Sequence, residues 1–159
     1  MRVKDVMTVD TTCCAPASSL ADTAGLMWER DCGVIPVIDE EQRIIGMITD
    51  RDICMAAAMT GKDLANIAVH EVISGPVCGC TSEDDIHQAL VKMRENQLRR
   101  LPVLDDEGKL QGILSLNDVV LKADQDKKAA SLAADVLETL KAISRHREAE
   151  QQTRVAGAS

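Results

Sequence analysis

Two constellations in this chain pair a hydroxyl with a carboxylate three residues later: Thr49-Asp50-Arg51-Asp52 and Ser115-Leu116-Asn117-Asp118. Such a pair can hydrogen-bond a polar ligand, or it can close the start of a helix, where a carboxylate complements the dipole. Nothing beside either pair supplies catalysis. His70, His87 and His146 stand alone without a carboxylate or cysteine at ligand spacing, and no nucleophile, base and orienting group emerge together. A Walker-type glycine loop is also missing from the sequence. No enzyme is expected. The remaining chemistry-bearing residues are six cysteines, of which Cys13-Cys14 and Cys78-Gly79-Cys80 could in principle close a four-thiolate metal site.

The elements that position these residues come from a soluble globular composition, 45% hydrophobic and 28% charged over 159 residues. A formal net charge of −8 argues against a nucleic-acid surface, so any bound anion must meet a local cationic pocket. Trp28 is the only aromatic residue, which excludes base stacking on aromatic platforms and leaves the core to Ile, Leu, Val, Met and Ala. No apolar run has membrane-spanning length, and Met1 to Asp10 lack the organisation of a secretory signal. A cytoplasmic protein with no membrane association and no disulfide framework is expected.

An internal repeat organises the rest. An offset of 66 residues aligns Val6–Ile53 with Val72–Val119 without a gap, pairing Cys14 with Cys80, Met27 with Met93, Pro36 with Pro102, Gly46 with Gly112 and Asp52 with Asp118. Each copy reads as helix, strand, turn, strand, helix. Ser18 to Glu29 and Asp84 to Glu95 carry apolar residues at helical spacing behind cap-type residues. Val34 to Ile38 and Ile44 to Thr49 form a strand pair around the turn Asp39-Glu40-Glu41-Gln42; Leu101 to Leu104 and Leu110 to Ser115 do so around Asp105-Asp106-Glu107-Gly108. Pro36 and Pro102 suit an edge or exposed backbone position. Short helices follow at Arg51 to Met59 and Asn117 to Ala123. Neither half can bury both faces of so small a sheet, so the expected fold is α+β, with two pseudo-symmetric units packed sheet to sheet and a C-terminal helix. The expected divisions are 1–61, a connector at 62–68, 69–124, an amphipathic helix at 126–150 and a frayed tail at 151–159.

The recurring segments resemble those of the cystathionine-β-synthase (CBS) domain. They are Val6-Met7-Thr8, Gly33-Val34-Ile35-Pro36-Val37-Ile38-Asp39 and Gly46-Met47-Ile48-Thr49-Asp50-Arg51-Asp52-Ile53. In the second copy they are Val72-Ile73-Ser74, Leu101-Pro102-Val103-Leu104-Asp105 and Gly112-Ile113-Leu114-Ser115-Leu116-Asn117-Asp118-Val119. The resemblance covers residues 2 to 123 and implies a tandem, stand-alone CBS pair, usually a homodimer, that regulates a partner protein and performs no catalysis. It also implies an adenosine-containing ligand in the clefts: AMP foremost, with ADP, ATP, NAD or S-adenosylmethionine as alternatives and no required cofactor. Asp52 and Asp118 then hold the position that accepts the vicinal ribose hydroxyls, a bidentate task for one carboxylate. Thr49 and Ser115 can donate to ribose or phosphate oxygens, and the helix starting beside them favours an anion. Adenine is expected against backbone groups at Ile35-Pro36 or Leu101-Pro102, and Cys13 occupies a position that often lines the cleft.

The copies differ in charge. Arg99-Arg100 replaces Gly33-Val34, and Arg51 replaces Asn117. If each cleft draws on both halves, Arg99 and Arg100 face the phosphates of a nucleotide held by Asp52, making the Thr49/Asp52 cleft the more phosphate-friendly. The repeat also reassigns the cysteines: Cys14 and Cys80 share one apolar position, and Cys32, Cys54 and Cys78 fall at others, so buried filler is expected and no metal. Past the repeat, Leu132, Val136, Leu140 and Ile143 share one helical face that is expected to form a dimer contact. Two other readings stay open, a ligand-independent dimeric scaffold and a thiol or metal sensor.

Overall fold

A computed structural model describes residues 1–73, 75–123 and 130–145. Ser74, the expected helical positions 126–129 and 146–150, His146 and the tail 151–159 lie outside the described residues. The fold is α+β, built from two units that repeat one plan. The first comprises α1 (Leu20–Glu29), β1 (Val34–Ile38), β2 (Ile44–Thr49) and α2 (Asp50–Thr60). The second comprises β3 (Cys80–Thr81), α3 (Ile86–Asn96), β4 (Arg100–Leu104), β5 (Leu110–Ser115) and α4 (Leu116–Ala123), followed by α5 (Ala130–Ser144).

Local chemistry explains the boundaries. Ser19 and Asp85 cap α1 and α3 by accepting N–H bonds from Asp22 and His87, leaving each apolar stripe to begin one residue later. In the hairpin turns Asp39 accepts from the N–H groups of Glu41 and Arg43, and Asp105 from those of Glu107 and Lys109. Both turns end in the left-handed region, at Gln42 (φ 66°) and Gly108 (φ 78°); glycine reaches it freely and glutamine at a cost. β1 and β2 pair antiparallel, as do β4 and β5, each with a bulge after the same valine, Val37 or Val103.

Contrary to the sequence expectation for the prolines, β4 is the middle strand of the order β3-β4-β5, and Pro36 and Pro102 are buried. The Pro36 carbonyl accepts from the Cys14 N–H at 3.0 Å, so the missing proline N–H faces the short parallel partner. That pairing spans two residues in the second unit and a single bridge in the first, so no long ladder is interrupted.

The two units exchange their opening segments. The 3₁₀ turn Val3–Asp5 packs in the second core with Leu90, Leu101 and Leu114, whereas Val69–Glu71 packs in the first with Leu20, Ile35 and Ile48. The backbone bonds are duplicated under the 66-residue offset. Val3 N–H donates to Asp84 O at 3.0 Å and Val69 N–H to Ser18 O at 2.9 Å; Ile86 donates to Met1 and Leu20 to Ile67. The hairpins meet on the pseudo-two-fold, where Ile44 N–H donates to Gly108 O and Leu110 N–H to Gln42 O around an Arg43–Lys109 bridge.

The C-terminal helix departs from its expected role. Its Leu132 and Val136 are buried and Ile143 half-buried in the second core of the same chain, so this stripe is not a dimer contact. Leu140 lies outside it, exposed. His87 also proves not to be isolated, since its Nδ1 lies 2.5 Å from Asp135 Oδ2 on α5.

Close approach at two equivalent glycines yields a test of the architecture. A Cβ on Gly112 would lie 2.5 Å from the Thr8 carbonyl oxygen, which is backbone, whereas one on Gly46 would lie 2.8 Å from Cδ1 of Ile73. Thr8 and Ile113 exchange two backbone bonds there, so the backbone has little room to retreat. Gly112→Ala is expected to destabilise the chain by about 1–3 kcal/mol and Gly46→Ala by less, because the Ile73 side chain can turn. Thermal denaturation of both variants checks this; equal losses would contradict the packing.

Candidate functional site

Asp52 and Asp118 occupy the same local geometry. In the first copy Asp52 Oδ2 accepts from the Thr49 N–H at 2.9 Å and the Thr49 hydroxyl at 2.6 Å, while Thr49 Oγ1 accepts from Asp52 N–H at 3.1 Å. In the second, Asp118 Oδ2 accepts from Ser115 N–H at 3.0 Å and Oγ at 2.6 Å, and Ser115 Oγ accepts from Asp118 N–H at 3.1 Å. This is a reciprocal capping box with a shortened acid, and all four side chains are half-buried. The capping reading therefore holds, and it occupies one carboxylate oxygen. Among the described residues Oδ1 of each Asp has no partner, and two lone pairs remain there for ligand hydroxyls. The expectation that Thr49 and Ser115 donate to a ligand does not fit this arrangement, since each hydroxyl proton is already held by its own Asp.

The helix starts behind these acids differ. At α2 the N–H of Asp50 donates to Gly33 O, that of Arg51 to Asp50 Oδ1 at 2.7 Å and that of Asp52 to Thr49 Oγ1, so the first turn offers no free donor. The Asp50 carboxylate fills the space over Gly33, where a Cβ would lie 2.9 Å from its Oδ2. At α4 the equivalent residues are Leu116, which is buried, and Arg99. Leu116 N–H donates to Arg99 O, whereas Asn117 N–H has no partner among the described residues.

The sheet register places the cations. Arg100 lies directly across the ladder from Ser115, as Val34 does from Thr49. Side chains directly opposite in a pair share a face, so Arg100 is on the same face of the sheet as Ser115. No contact among the described residues brings Arg99 or Arg100 to Thr49 or Asp52. Arg99 and Arg51 are exposed, Arg100 is half-buried and Asn117 is exposed. The two helix starts differ in charge: the first carries Asp50, and the second has Leu116 at that position, with Arg100 on the adjoining strand and the Asn117 N–H without a partner among the described residues. Asp50 was the residue that sequence comparison passed over; its signal was the acid standing where the other copy has Leu116.

Ile35 and Leu101 are fully buried side chains of the two cores and can offer a ligand only backbone atoms. The carbonyl of Pro36 is already taken by Cys14. Cys13 is half-buried, its Sγ 3.5 Å from Thr11 O, and burial pushes its thiol pKa up. Cys14 and Cys80 are buried core members, as expected, and burial drives the Cys80 thiol to about 12. Cys54 departs from the expected burial and is exposed on α2. Among the described residues no group of three or more His, Cys, Asp or Glu side chains is gathered as a metal ion would require.

The CBS domain profile matches residues 3–58 and 69–123. The chain belongs to the CBS domain family. Its pair of CBS repeats is 31% identical over 134 residues to the CBS domain-containing protein YhcV of Bacillus subtilis, covering 84% of this chain and 94% of that one. It is 31% identical over 116 residues to hypoxic response protein 1 of Mycobacterium tuberculosis, covering 73% and 80%. Among solved structures, the complex of CBSX2 with AMP superposes at a TM-score of 0.70 and 28% identity, covering 78% of this chain and 96% of that one. Hypoxic response protein I with two coordinated zinc ions superposes at 0.70 and 29% identity, covering 76% and 98%. The CBS pair described here shares the fold of both.

The thiols of this CBS pair provide a direct check on burial. At neutral pH a raised thiol pKa means less thiolate, the species that alkylates. In a timed iodoacetamide reaction read by peptide mass spectrometry, Cys54 is expected to label first, with Cys14 and Cys80 protected until the chain unfolds. Labelling of Cys80 at the rate of Cys54 in folded protein would contradict the assigned core.

Proposed function

We propose that this chain is a cytoplasmic, homodimeric regulatory module that binds an adenosine nucleotide, AMP foremost, and signals to a partner protein without catalysing a reaction. The carrying observation is the duplicated capping box, which holds each Asp rigidly at a helix start and leaves Oδ1 open toward vicinal ribose hydroxyls. The AMP complex of a fold neighbour at 28% identity supports the same ligand class. The Ser115/Asp118 cleft takes the anionic nucleotide, because Arg100 and the Asn117 N–H supply positive charge and a donor for a phosphate. The Thr49/Asp52 cleft, with Asp50 beside it, suits an uncharged adenosyl group or stays weaker. A ligand touching both units favours one orientation of the pair over another, and only that difference can reach a partner.

Calorimetry with AMP, ATP, NAD, S-adenosylmethionine and adenosine tests this. Asp118→Asn retains a cap acceptor and is expected to weaken AMP at least about tenfold, since a charged hydrogen-bond acceptor is lost. Arg100→Ala is expected to weaken AMP but leave adenosine nearly unchanged. Flat titrations with all five compounds, or AMP binding indifferent to Asp118→Asn, would sink the reading and favour a ligand-independent scaffold.

For the dimer, the support lies in an uncovered surface. With one stripe of α5 packed inward, its Leu137 (52% exposed) and Leu140 are exposed, as are Val120 and Leu121 (69%) of α4, which packs against α5. Four exposed large apolar side chains on two touching helices support association through this side of the second unit. Light scattering should give the mass of two chains for the wild type and of one chain for the pair Leu121→Glu and Leu137→Glu; a double variant that stays dimeric would place the contact elsewhere.

A further inference from the structure

The helical faces of the two units differ in what lies on them and in the sign of their charge. On the first, a groove of about 410 Å³ between α1 and α2 is walled by Ala24, Met27, Trp28 and Ile53, with Asp31 and Asp50 also in its lining. No cation lines it. Trp28 is 89% exposed in the single chain, and neither acid has an ion-pair partner among the described residues. On the second unit the equivalent face is covered by α5, whose Leu132 and Val136 share a core with Met93, Leu116 and Val119. Gln97 Nε2 donates to the carbonyls of Ala142 and Arg145 and so fixes the end of that helix. The surface this unit presents is therefore the far side of α5.

That side is apolar first and basic last. Leu137 and Lys141 stand one helical turn apart and are both exposed, and the exposed Arg145 follows another turn on. Lys141 Nζ lies 2.8 Å from Glu138 Oε1. Lys141, with Arg94 of α3 and Arg145 beyond it, holds the Glu138 carboxyl below its ordinary range. Three cations thus gather round one carboxylate, a locally positive surface on a chain of net charge −8.

The two surfaces match each other and not themselves. Groove against groove would oppose carboxylates to carboxylates, and one α5 end against another would oppose cations to cations, a costly juxtaposition at an interface. Groove against α5 sets apolar walls on a leucine and acids on cations. A two-fold axis that makes this contact once makes it again in reverse, so both surfaces of both copies are covered.

We propose that two copies of this chain pair head to tail, the first-unit groove of each receiving the outer side of the other's α5, with Leu137 against Trp28 and with Lys141 and Arg145 at Asp31 and Asp50. The proposal rests on the dimer reading above and names the surface that its exposed Leu137 meets.

Trp28 is the only tryptophan, so its emission reports this groove. Wild-type emission is expected to be blue where light scattering gives the mass of two chains and to redden on dilution through the same midpoint. The pair Asp31→Lys and Asp50→Lys, and separately the pair Lys141→Glu and Arg145→Glu, should each raise the dissociation midpoint at least about tenfold, because like charges then meet at both contacts. All four changes in one chain restore opposite charges and should return the midpoint to within about threefold of wild type, a recovery that a misfolded chain cannot give. The groove positions tolerate such changes within this fold: their equivalents are Gln97, which holds the same left-handed backbone at φ 52° against 49° for Asp31, and Leu116. In the wild type, carbodiimide treatment of mixed isotope-labelled and unlabelled copies should join the Lys141 amine to the Asp31 or Asp50 carboxylate across the labels. A dimer whose Trp28 emission remains that of an exposed indole, charge reversals that leave the midpoint unmoved, or cross-label products confined to other pairs would overturn the head-to-tail geometry and leave the dimer reading standing. A mass of one chain at every concentration would remove both.

Discussion

The structure depends on an exchange: Val3 is buried in the core of the second unit, and Val69 in the core of the first, each with 0% exposure. Burying a valine side chain contributes about 1.5–3 kcal/mol, and each insertion brings a set of backbone hydrogen bonds with it. The ion pairs of Arg2 and Lys4 with Glu83 lie on the surface beside one of these insertions, where solvent screens them, and add little. Apolar burial therefore holds the exchange, with the charges only trimming its edge. Because each opening segment completes the other unit, neither unit has a full core alone, and their relative placement is part of folding.

On this frame each of the two acids closes a helix start with one oxygen, and the proposed ligand would meet the other. Oδ2 closes a helix start and fixes the side chain, and Oδ1 is thereby held in one direction without further ordering. A ligand meeting a preorganised acceptor avoids much of the side-chain entropy that binding otherwise costs. The identical geometry of Thr49/Asp52 and Ser115/Asp118 shows that the difference between the clefts arises one residue away. Asp50 occupies the space over Gly33 and consumes a helix N–H, whereas Leu116 turns into the core and leaves its neighbour's N–H available. This polar-to-apolar difference, together with Arg100 in place of Val34, makes the two helix starts unlike in charge.

Asymmetry on the outer surface has a similar origin. α5 covers the helices of the second unit with Leu132, Val136 and Ile143, and no equivalent element covers α1 and α2 among the described residues. The duplicated core is the conserved plan, and the chain's individuality lies in what is laid over it.

Much of this was legible in the residues. The 66-residue repeat, the helix and strand periods, the Asp-headed turns and the burial of Cys14 and Cys80 follow from local patterns, because propensity, capping and alternation act over a few residues. The spacing of Thr49 to Asp52 also announced the cap that the structure shows, without saying which carboxylate oxygen closes it. The burial of Pro36 and Pro102, the inward stripe of α5, the His87–Asp135 contact and the seat of Arg100 beside Ser115 were decided only in three dimensions. So was the exposure of Cys54, which sits at an apolar position of the repeat on a helix face that nothing covers. Each depends on which surfaces meet across long separations in the chain. A periodic pattern states that a face must be buried, and only packing states against what.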